Sequence, residues 1–247
     1  MGVVVRTVVV VPTYNEAENL PRLAELLLAL APPIDVLCVD DDSPDGTGDI
    51  ADATAADNQR FHVIHRTGKR GYSVSSEEGI EWSLARGYDF VATMDADLSH
   101  DPAVLPQLVA AVQNGADLAI GSRYTPGGEI LVDWGPFRRA VSQMGSAYAR
   151  LMVGVNTRDC TSGFRCYRAE MLAQVPFAGI RSEGYTFLIE MLAALRALGA
   201  VVVEVPITYV DRRHGSSKIS KAIILEALLR TTEVGAARVF GGRWPQS

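Results

Sequence analysis

The sequence predicts an α/β protein in which a mostly parallel sheet, flanked by helices, forms a single domain. Three short apolar runs rich in β-branched residues recur in the first half, and each ends at a polar or acidic turn. Runs of this kind are typical of strands that are buried on both faces of a parallel sheet. Helical patterns separate the runs, and this alternation of strand and helix indicates a doubly wound sheet.

The predicted elements follow one another regularly through the first half of the chain. We expect strands at residues 7–11, 36–39, 61–64 and 90–94, and helices at residues 16–30, 49–56, 77–86 and 102–114. Asp101 is the expected N-cap of the last of these helices, because Pro102 suits a first helical turn.

The second half is less regular. We expect strands at residues 118–121 and 201–205, and helices at residues 137–153, 187–198 and 221–240. Residues 1–220 are expected to form the α/β domain, and residues 221–247 an amphipathic helix and tail. That helix has Leu228 and Leu229 on its apolar side and Arg230 nearby. It is expected either to pack on the domain core or to lie at an anionic lipid surface.

Composition narrows the classes of function. The formal net charge is −6, which argues against a general nucleic-acid binder because such proteins need a basic face to neutralise phosphates. The cysteines Cys38, Cys160 and Cys166 lack zinc-ligand spacing and are expected to be small buried side chains in a reducing compartment. No apolar run reaches about 18 residues. We therefore expect a cytoplasmic protein, peripheral at the inner face of a membrane.

An acidic pair follows one predicted strand. Asp95 and Asp97 come at the end of residues 90–94, and polar residues 12–16 follow the first strand. Open α/β sheets bind their ligands at this edge. Alternate residues of an extended chain share a face, so both carboxylates are expected on one side. One would bind Mg²⁺ or Mn²⁺ and the other a ribose hydroxyl or a second ligand oxygen. The alternative is a solvated turn in which both acids cap a helix.

A second acidic cluster also follows a strand. Asp40, Asp41 and Asp42 are adjacent, so their carboxylates repel one another unless something offsets the charge. A metal, the hydroxyls of a sugar or nucleotide, or a basic side chain would serve. The following residues are also a strong turn sequence, in which Asp45 and Gly46 are expected to form the turn.

Several common catalytic and nucleotide-binding motifs are absent from the sequence. Residues 12–16 contain no glycine after the first strand, which excludes the dinucleotide fingerprint. Gly68 and Lys69 lack the upstream glycine and the following Ser or Thr of a P-loop. No Ser-His-Asp or Cys-His set is indicated. His100, close to the acidic pair, is expected to cap or pack rather than to act as a base.

Basic residues cluster in the second half. Those near the expected ligand edge are Arg123, Arg138, Arg139, Arg165, Arg212, Arg213, His214 and Lys218. Several arginines at an edge that holds a metal would recognise phosphate groups, because guanidinium binds phosphate in a bidentate fashion. For any single arginine, the alternative is an ordinary surface charge.

Seven motifs run through nearly the whole chain. They are VVVPTYNEAENL at 9–20, VDDDSPDGT at 39–47, MDADLSHDP at 94–102, GSRY at 121–124, DCTSGFRCYR at 159–168, SEGYTFLIEM at 182–191 and VPITYVDRRHGSSK at 205–218. Together they resemble the family-2 glycosyltransferases of GT-A fold, and most closely the dolichol-phosphate and polyprenol-phosphate mannose synthases. The D-x-D pattern alone is weak, whereas its full motif combined with the last motif is highly specific.

The resemblance implies an activity and a role for each matched position. The activity is metal-dependent, inverting transfer of a hexose, most closely mannose from GDP-mannose, to a polyprenyl or dolichyl phosphate. The implied partners are the nucleotide sugar, the polyprenyl phosphate, and a membrane surface or membrane-anchored protein, with no nucleic acid. The implied donor-binding residues are Pro12, Tyr14, Glu16, Asp41, Asp95 and Asp97; the metal ligands are Asp95 and Asp97; the acceptor-phosphate ligands are Arg123, Arg139, Arg212 and Lys218; the catalytic residues are Asp97, Arg123, Arg212 and Lys218.

The chain departs from the family pattern at two places. Ser99 stands where close relatives often have Gln. Residues 71–79 replace a G-L-G-x-A-x-x-x-G type of stretch, and only the outer glycines match. Ser73 is expected to narrow the space near the donor, and Glu77 and Glu78 to add negative charge there. This departure bears on the identity of the donor.

Two alternatives stay open. One is a transferase of the same fold with another donor, such as UDP-glucose or a UDP-N-acetylhexosamine, which a panel of donors would decide. The other is a non-catalytic subunit that binds a nucleotide sugar. Residues 71–79 are the only support for the second alternative, and the intact acidic and basic motifs oppose it.

Overall fold

Seven strands form the central sheet of the computed structural model, which describes residues 5–132, 136–182, 184–210 and 221–240. In chain order the strands are β1 (Thr7–Thr13), β2 (Asp35–Asp40), β3 (Phe61–His65), β4 (Phe90–Thr93), β5 (Leu118–Ser122), β6 (Glu129–Leu131), β7 (Arg165–Arg168), β8 (Val202–Pro206) and β9 (Thr208–Val210). The order in the sheet is β3-β2-β1-β4-β7-β5-β8, with β7 antiparallel to both neighbours and the other six strands parallel. The predicted mostly parallel α/β fold is confirmed.

Within these described ranges, eight helices accompany the strands. They are α1 (Leu20–Leu28), α2 (Thr47–Asp57), α3 (Tyr72–Ala85), α4 (Leu105–Gln113), α5 (Pro136–Val153), α6 (Ala169–Leu172), α7 (Tyr185–Ala197) and α8 (Lys221–Val239), with short 3₁₀ turns at Pro102–Val104 and Phe177–Gly179. Within the described ranges, no helix combines the length and the apolar character needed to cross a membrane.

The sheet is buried on both faces. Successive side chains of a strand point to opposite faces, so Val8 and Val10 of β1 pack with Ile80 of α3, whereas Val9 and Val11 pack with side chains of α1 and α4. Double burial explains why these strands consist of nearly continuous apolar runs instead of alternating ones.

The first helix begins later than the predicted residue 16. Before it, the backbone N–H groups of Asn19 and Leu20 donate to the Glu16 carbonyl oxygen at 3.0 and 2.9 Å, which forms a turn. Pro21 then occupies the first helical turn, where its missing N–H costs no hydrogen bond. The predicted cap at Asp101 is confirmed, since its carboxylate accepts from the Ala103 N–H at 2.9 Å.

Strand β7 and the small sheet were not predicted. Residues 165–168 read Arg-Cys-Tyr-Arg, without an apolar run, yet they form β7 between β4 and β5. Strands β6 and β9 pair in a separate two-stranded parallel sheet, and each has only three residues. Such short strands carry too few side chains for a period of two to be seen.

The last helix packs on the domain. α8 lies against α5 and α7, and Thr231 and Val234 are buried there. Leu228 and Leu229 of the same helix remain exposed.

Candidate active site

The carboxyl ends of four parallel strands meet at one edge of the sheet. β2, β1 and β4 are successive neighbours, and β5 runs in the same direction beyond β7. This topology brings residues 12–16, 40–42, 95–97 and Arg123 to the same edge, as the sequence predicts.

The residues at and after the end of β1 lie beside the end of β2. Tyr14 accepts a hydrogen bond from Arg70 at 3.3 Å, and the Arg70 guanidinium lies 5.1 Å from the centre of the Tyr14 ring. The Glu16 carboxylate accepts from the Asn19 side chain at 2.8 Å. Pro12 is still within β1, opposite Val39 of β2. Their contact with a nucleotide stays a prediction.

Each of the three adjacent acids at the end of β2 has its own partner. Asp40 accepts hydrogen bonds from the N–H and hydroxyl of Ser43 at 3.1 and 2.6 Å. Asp41 pairs with Arg66, and Asp42 pairs with Arg70 at 2.6 Å. Two basic side chains therefore offset the repulsion, which was one of the alternatives open at the sequence level.

The turn after this cluster forms as predicted. Asp45 accepts from the Thr47 N–H at 3.1 Å and from the Ala17 N–H at 3.1 Å. Gly46 has a φ of +90°, a backbone conformation that glycine adopts without steric cost. The turn thus ties the ends of β1 and β2 together.

The acidic pair after β4 does not lie on an extended chain. The chain turns at residues 96–98, and Leu98 has a φ of +60°. Asp97 is buried and accepts from the Ser99 N–H at 3.0 Å, whereas Asp95 is half-buried. The expectation that the two carboxylates lie on one side because the chain is extended was therefore wrong, since the chain turns between them.

The acidic pair fits a hard divalent cation. In the described part of the chain, no group of three or more His, Cys, Asp or Glu side chains is arranged to hold a metal. Mg²⁺ sites in phosphate-transferring proteins commonly use one or two carboxylates, with substrate phosphate and water supplying the other oxygens. Asp95 and Asp97 match that pattern in both number and chemistry.

Tyr209 of β9 joins the acidic and basic halves of the site. Burial raises the pKa of its hydroxyl, and the carboxylates of Asp97 and Asp95 also raise it, while Ser99 and Arg123 act in the opposite direction. The Arg123 guanidinium lies 5.3 Å from the centre of the Tyr209 ring. Tyr209 is therefore within electrostatic reach of both predicted metal ligands and of Arg123.

Arg123 is held by a buried carboxylate. Its Nε and Nη2 each donate to Asp159 at 2.7 Å, and Nη2 also donates to Thr161 at 2.9 Å. Burial alone would lower the pKa of Arg123, but the bond and charge of Asp159 raise it above its ordinary value. Burial alone would raise the pKa of Asp159, but the bond and charge of Arg123 hold it below its ordinary value. The positive charge of Arg123 is thus largely balanced within the protein.

A cavity of about 340 Å³ opens beside Arg123. It lies between the loop after β5 and α5, and Gln143, Arg150 and Arg158 contribute to its lining. The ion pairs described in the structure include neither Arg150 nor Arg158. An anion in this cavity would therefore meet two arginines whose charge no described carboxylate balances.

The remaining predicted cations fall outside the described residues. Arg212, Arg213, His214 and Lys218 lie in 211–220, and the side chains of Arg138 and Arg139 are likewise not described. The chain enters 211–220 at Val210, whose N–H donates to the Ser99 carbonyl oxygen at 3.2 Å. Val210, the last described residue before 211–220, therefore lies beside the acidic turn.

The Arg165 side chain does not face the ligand edge, although its backbone lies opposite Thr93 at the end of β4. Its side chain is fully buried and donates to the carbonyl oxygens of Ser162, Leu188 and Cys160 at 2.8, 2.9 and 2.8 Å. It holds together the backbone around the TSGF segment, so it is neither a surface charge nor a phosphate ligand.

Two smaller expectations are confirmed. His100 is buried and packs with its ring 5.3 Å from that of Phe164. The three cysteines are buried, and burial raises the pKa of Cys38 and Cys160 to about 12. Thiols in that state are neutral and unreactive at physiological pH.

The atypical segment at residues 71–79 is part of α3 and its N-terminus. Glu78 pairs with Arg66 at 2.7 Å, so the expected excess of negative charge is partly neutralised. Glu77 has a raised pKa because of burial and the nearby charge of Glu81. Ser73 is buried. Its effect on the space near the donor stays a prediction.

Some residues of the site were not found from the sequence. Arg66 and Arg70 follow β3 at the same edge of the sheet as the acids. This position after a predicted strand was the signal that could have identified them as site residues. Arg150 and Arg158 had no signal, because isolated arginines in or after a helix are usually surface charges. Tyr209 lies inside the motif at 205–218, but a tyrosine in a short strand is also an ordinary packing residue.

Comparison with known proteins identifies the family. The family described as Glycosyl transferase family 2 matches residues 8–175. An undecaprenyl-phosphate mannosyltransferase of Micrococcus luteus is 46% identical over 237 residues, which cover 96% of this chain and 97% of that protein. A polyprenol monophosphomannose synthase of Mycolicibacterium smegmatis is 46% identical over 232 residues, which cover 93% and 87%.

Solved structures share the fold. Glucosyl-3-phosphoglycerate synthase of Mycobacterium tuberculosis, in complex with Mn²⁺, UDP and glucosyl-3-phosphoglycerate, aligns with a TM-score of 0.63 at 21% identity over 96% of this chain and 81% of that chain. A mannosyltransferase of Pyrobaculum calidifontis, in complex with GDP-Man and Mn²⁺, aligns with a TM-score of 0.57 at 16% identity over 97% and 76%. The chain belongs to glycosyltransferase family 2 and is an enzyme of that family.

Proposed function

We propose that this chain transfers mannose from GDP-mannose to a polyprenyl phosphate, in a reaction that requires a divalent cation and inverts the anomeric carbon. The single observation that carries the proposal is the 46% identity, over nearly the whole chain, to a relative named for mannosyl transfer to undecaprenyl phosphate. The site supports it, because Tyr209 is within electrostatic reach of the acidic pair and 5.3 Å from Arg123, which lines the arginine-lined cavity.

The acidic pair would hold the donor diphosphate. Asp95 and Asp97 would bind Mg²⁺ or Mn²⁺, which when bound supplies Lewis-acid neutralisation of the leaving diphosphate. Asp41 and its partner Arg66, together with Pro12, Tyr14 and Glu16, would line the nucleotide end of the cleft.

The arginine-lined cavity would hold the acceptor phosphate. A phosphate monoester has its second pKa near 6, so it is already largely a dianion at neutral pH and needs little help from a general base. Arg150 and Arg158, with Arg123 and the predicted Arg139, Arg212 and Lys218, would hold this dianion near the anionic donor. Catalysis then consists mainly of positioning and charge stabilisation, and direct attack on GDP-α-mannose yields a β-mannosyl phosphate.

The acceptor is a lipid, so we also propose peripheral contact with a membrane. Met144 and Leu151 on α5 and Leu229 on α8 are exposed to 69%, 65% and 58%. These two helices pack against each other, and Arg150 of α5 lines the cavity. We propose that a lipid surface, or a membrane-anchored partner, lies against the exposed side chains of α5 and α8. The phosphate of the acceptor would then reach the cavity while its isoprenoid chain stays in an apolar medium.

The site assignment is tested by three variants, assayed for transfer of labelled mannose to a short polyprenyl phosphate. Asp97→Ala and Arg212→Ala should each lower kcat/KM by about 100-fold or more, because each removes charge stabilisation in the transition state. Arg158→Gln should instead raise the KM for the polyprenyl phosphate and leave the KM for the donor unchanged.

Matched controls come from exposed side chains elsewhere. Arg22→Ala removes an arginine whose described partner is its helical neighbour Glu25, and Asp57→Ala removes an exposed acid at the end of α2. Both should transfer mannose at the wild-type rate. Near-normal turnover by Asp97→Ala and Arg212→Ala would show that the site is assigned wrongly.

A further inference from the structure

The start of α3 is held rigidly against the sheet. Gly71, just before the helix, donates its N–H to Asp41 at 2.7 Å. Further along, a side chain at Gly79 would place its Cβ 2.3 Å from a methyl carbon of Val10, so the helix contacts β1 closely. The position of Tyr72, the first residue of α3, is therefore fixed from both sides.

The Tyr72 side chain extends from the atypical segment into the site. Its ring packs edge-on against Phe187, with 6.4 Å between ring centres. Its hydroxyl oxygen is shielded from solvent. A half-buried aromatic ring packed in this way fixes the direction of its hydroxyl, because only two side-chain torsions have to be held.

The Tyr72 hydroxyl and the Asp95 carboxylate lie over the same glycine. A side chain at Gly163 would place its Cβ 2.9 Å from the Tyr72 oxygen and 3.0 Å from an oxygen of Asp95. Gly163 itself is tied to β4, since its carbonyl oxygen accepts from the Thr93 hydroxyl at 2.8 Å. The absence of a side chain at Gly163 thus allows both oxygens to approach the same backbone position near the end of β4.

We propose that Tyr72 is a positioning residue for Asp95: its hydroxyl donates a hydrogen bond to one oxygen of the carboxylate when metal and donor are bound. A neutral phenol donates one hydrogen bond, so the second carboxylate oxygen keeps its lone pairs for the metal. Partners that orient a ligating carboxylate typically change metal affinity or activity by about 10–100-fold when they are removed. The inference rests on the proposed function for the role of Asp95 as a metal ligand.

The test is direct measurement of Mn²⁺ binding by calorimetry in the presence of saturating GDP. Tyr72→Phe removes the hydroxyl and keeps the ring, and we expect the Kd for Mn²⁺ to rise about tenfold. Gly163→Ala, whose methyl group would displace both oxygens, should weaken Mn²⁺ binding at least as much. The KM for the polyprenyl phosphate should not change in Tyr72→Phe.

Tyr148→Phe is the matched control. The Tyr148 hydroxyl bonds to Thr232 at 2.6 Å between α5 and α8, so this variant also loses one hydroxyl and one hydrogen bond. It should bind Mn²⁺ as the wild type does. The melting temperature of each variant shows whether a loss of stability, rather than a misplaced carboxylate, accounts for a change.

Two results would overturn the inference. One is an unchanged Kd for Mn²⁺ in Tyr72→Phe, whether or not the melting temperature falls or the KM for the donor rises. The other is a wild-type protein that binds no Mn²⁺ with GDP. By contrast, a wild type that binds Mn²⁺ and GDP but transfers no mannose would overturn the proposed function and leave the role of Tyr72 standing.

Discussion

At the scale of single residues, the pairing of Arg123 with Asp159 shows how the site keeps a guanidinium in a buried position. Only 10% of the Arg123 side chain is exposed, and Asp159 is fully buried. Taking two charges out of water is costly, and a bidentate geometry with further hydrogen bonds is needed to offset that cost. Asp159 meets this need, since its carboxylate also accepts from the Arg123 backbone N–H at 3.1 Å.

The pair predicts a large effect of removing one partner. Asp159→Ala leaves Arg123 buried without its counter-ion, and the free energy of unfolding should fall by about 3–5 kcal/mol. Urea unfolding at pH 7 measures this difference. Arg22→Ala, which removes an exposed ion pair, should change the free energy by less than about 1 kcal/mol.

The same pair predicts a dependence on pH. Because Arg123 lowers the pKa of Asp159 in the folded state, the stabilisation is complete above the unfolded pKa of about 3.9. It is lost as the pH falls through the lower folded pKa. The difference in urea midpoint between wild type and Asp159→Asn should therefore be constant from about pH 7 to 5 and shrink below about pH 4. A difference that stays the same down to pH 3 would contradict this account.

Residue patterns identified part of the site. Asp95 and Asp97 stand out because acids that follow a buried strand must lie at the ligand edge of the sheet. Asp159, Arg66 and Tyr209 could not be assigned, because each acquires its role from a partner far away in the chain. A contact between two side chains that are far apart in the chain produces no hydrophobic periodicity, so it cannot be predicted from the sequence pattern.

At the scale of elements, the strand order explains why the first half was easier to predict than the second. β1, β2 and β4 are buried parallel strands with apolar runs, and these runs are the strongest local signal. β7 is a central strand with an arginine at each end, and its Arg165 is satisfied by three backbone carbonyl groups. Burial of a charged residue contradicts the hydrophobic pattern, so sequence periodicity could not find this strand.

The exposed apolar side chains of α5 and α8 predict binding to lipid vesicles. We expect Leu228→Glu combined with Leu229→Glu to weaken binding to vesicles of phosphatidylglycerol and phosphatidylcholine by at least about tenfold, because two leucines would leave the apolar medium. Co-sedimentation measures the bound fraction. Transfer to a short, water-soluble polyprenyl phosphate should be unaffected.

The control for this experiment is Leu198→Glu, at the exposed end of α7. It adds one negative charge away from α5 and α8 in sequence and should bind vesicles almost as the wild type does. Equal binding by the double variant and the wild type would remove α8 from the proposed membrane contact.

At the scale of the whole molecule, the proposed function requires a chain of net charge −6 to bind two anionic substrates. Positive charge concentrated in one cavity offsets the unfavourable net charge locally, because a cleft lined by one sign of charge focuses the field. Arg150 and Arg158 provide this positive charge in the cavity beside Arg123. The fold class was predictable because it depends on many residues, whereas the cavity depends on three arginines brought together by tertiary packing.

The most direct test of the central proposal is the transfer of label from GDP-[¹⁴C]mannose to a lipid-extractable product by the purified chain with a polyprenyl phosphate and Mn²⁺. We expect labelled product that requires the phosphate acceptor, disappears when the cation is chelated, and exceeds by far any product formed from UDP-glucose or UDP-N-acetylhexosamines. Absence of labelled lipid from GDP-mannose, or equal transfer from a UDP-sugar, would contradict it.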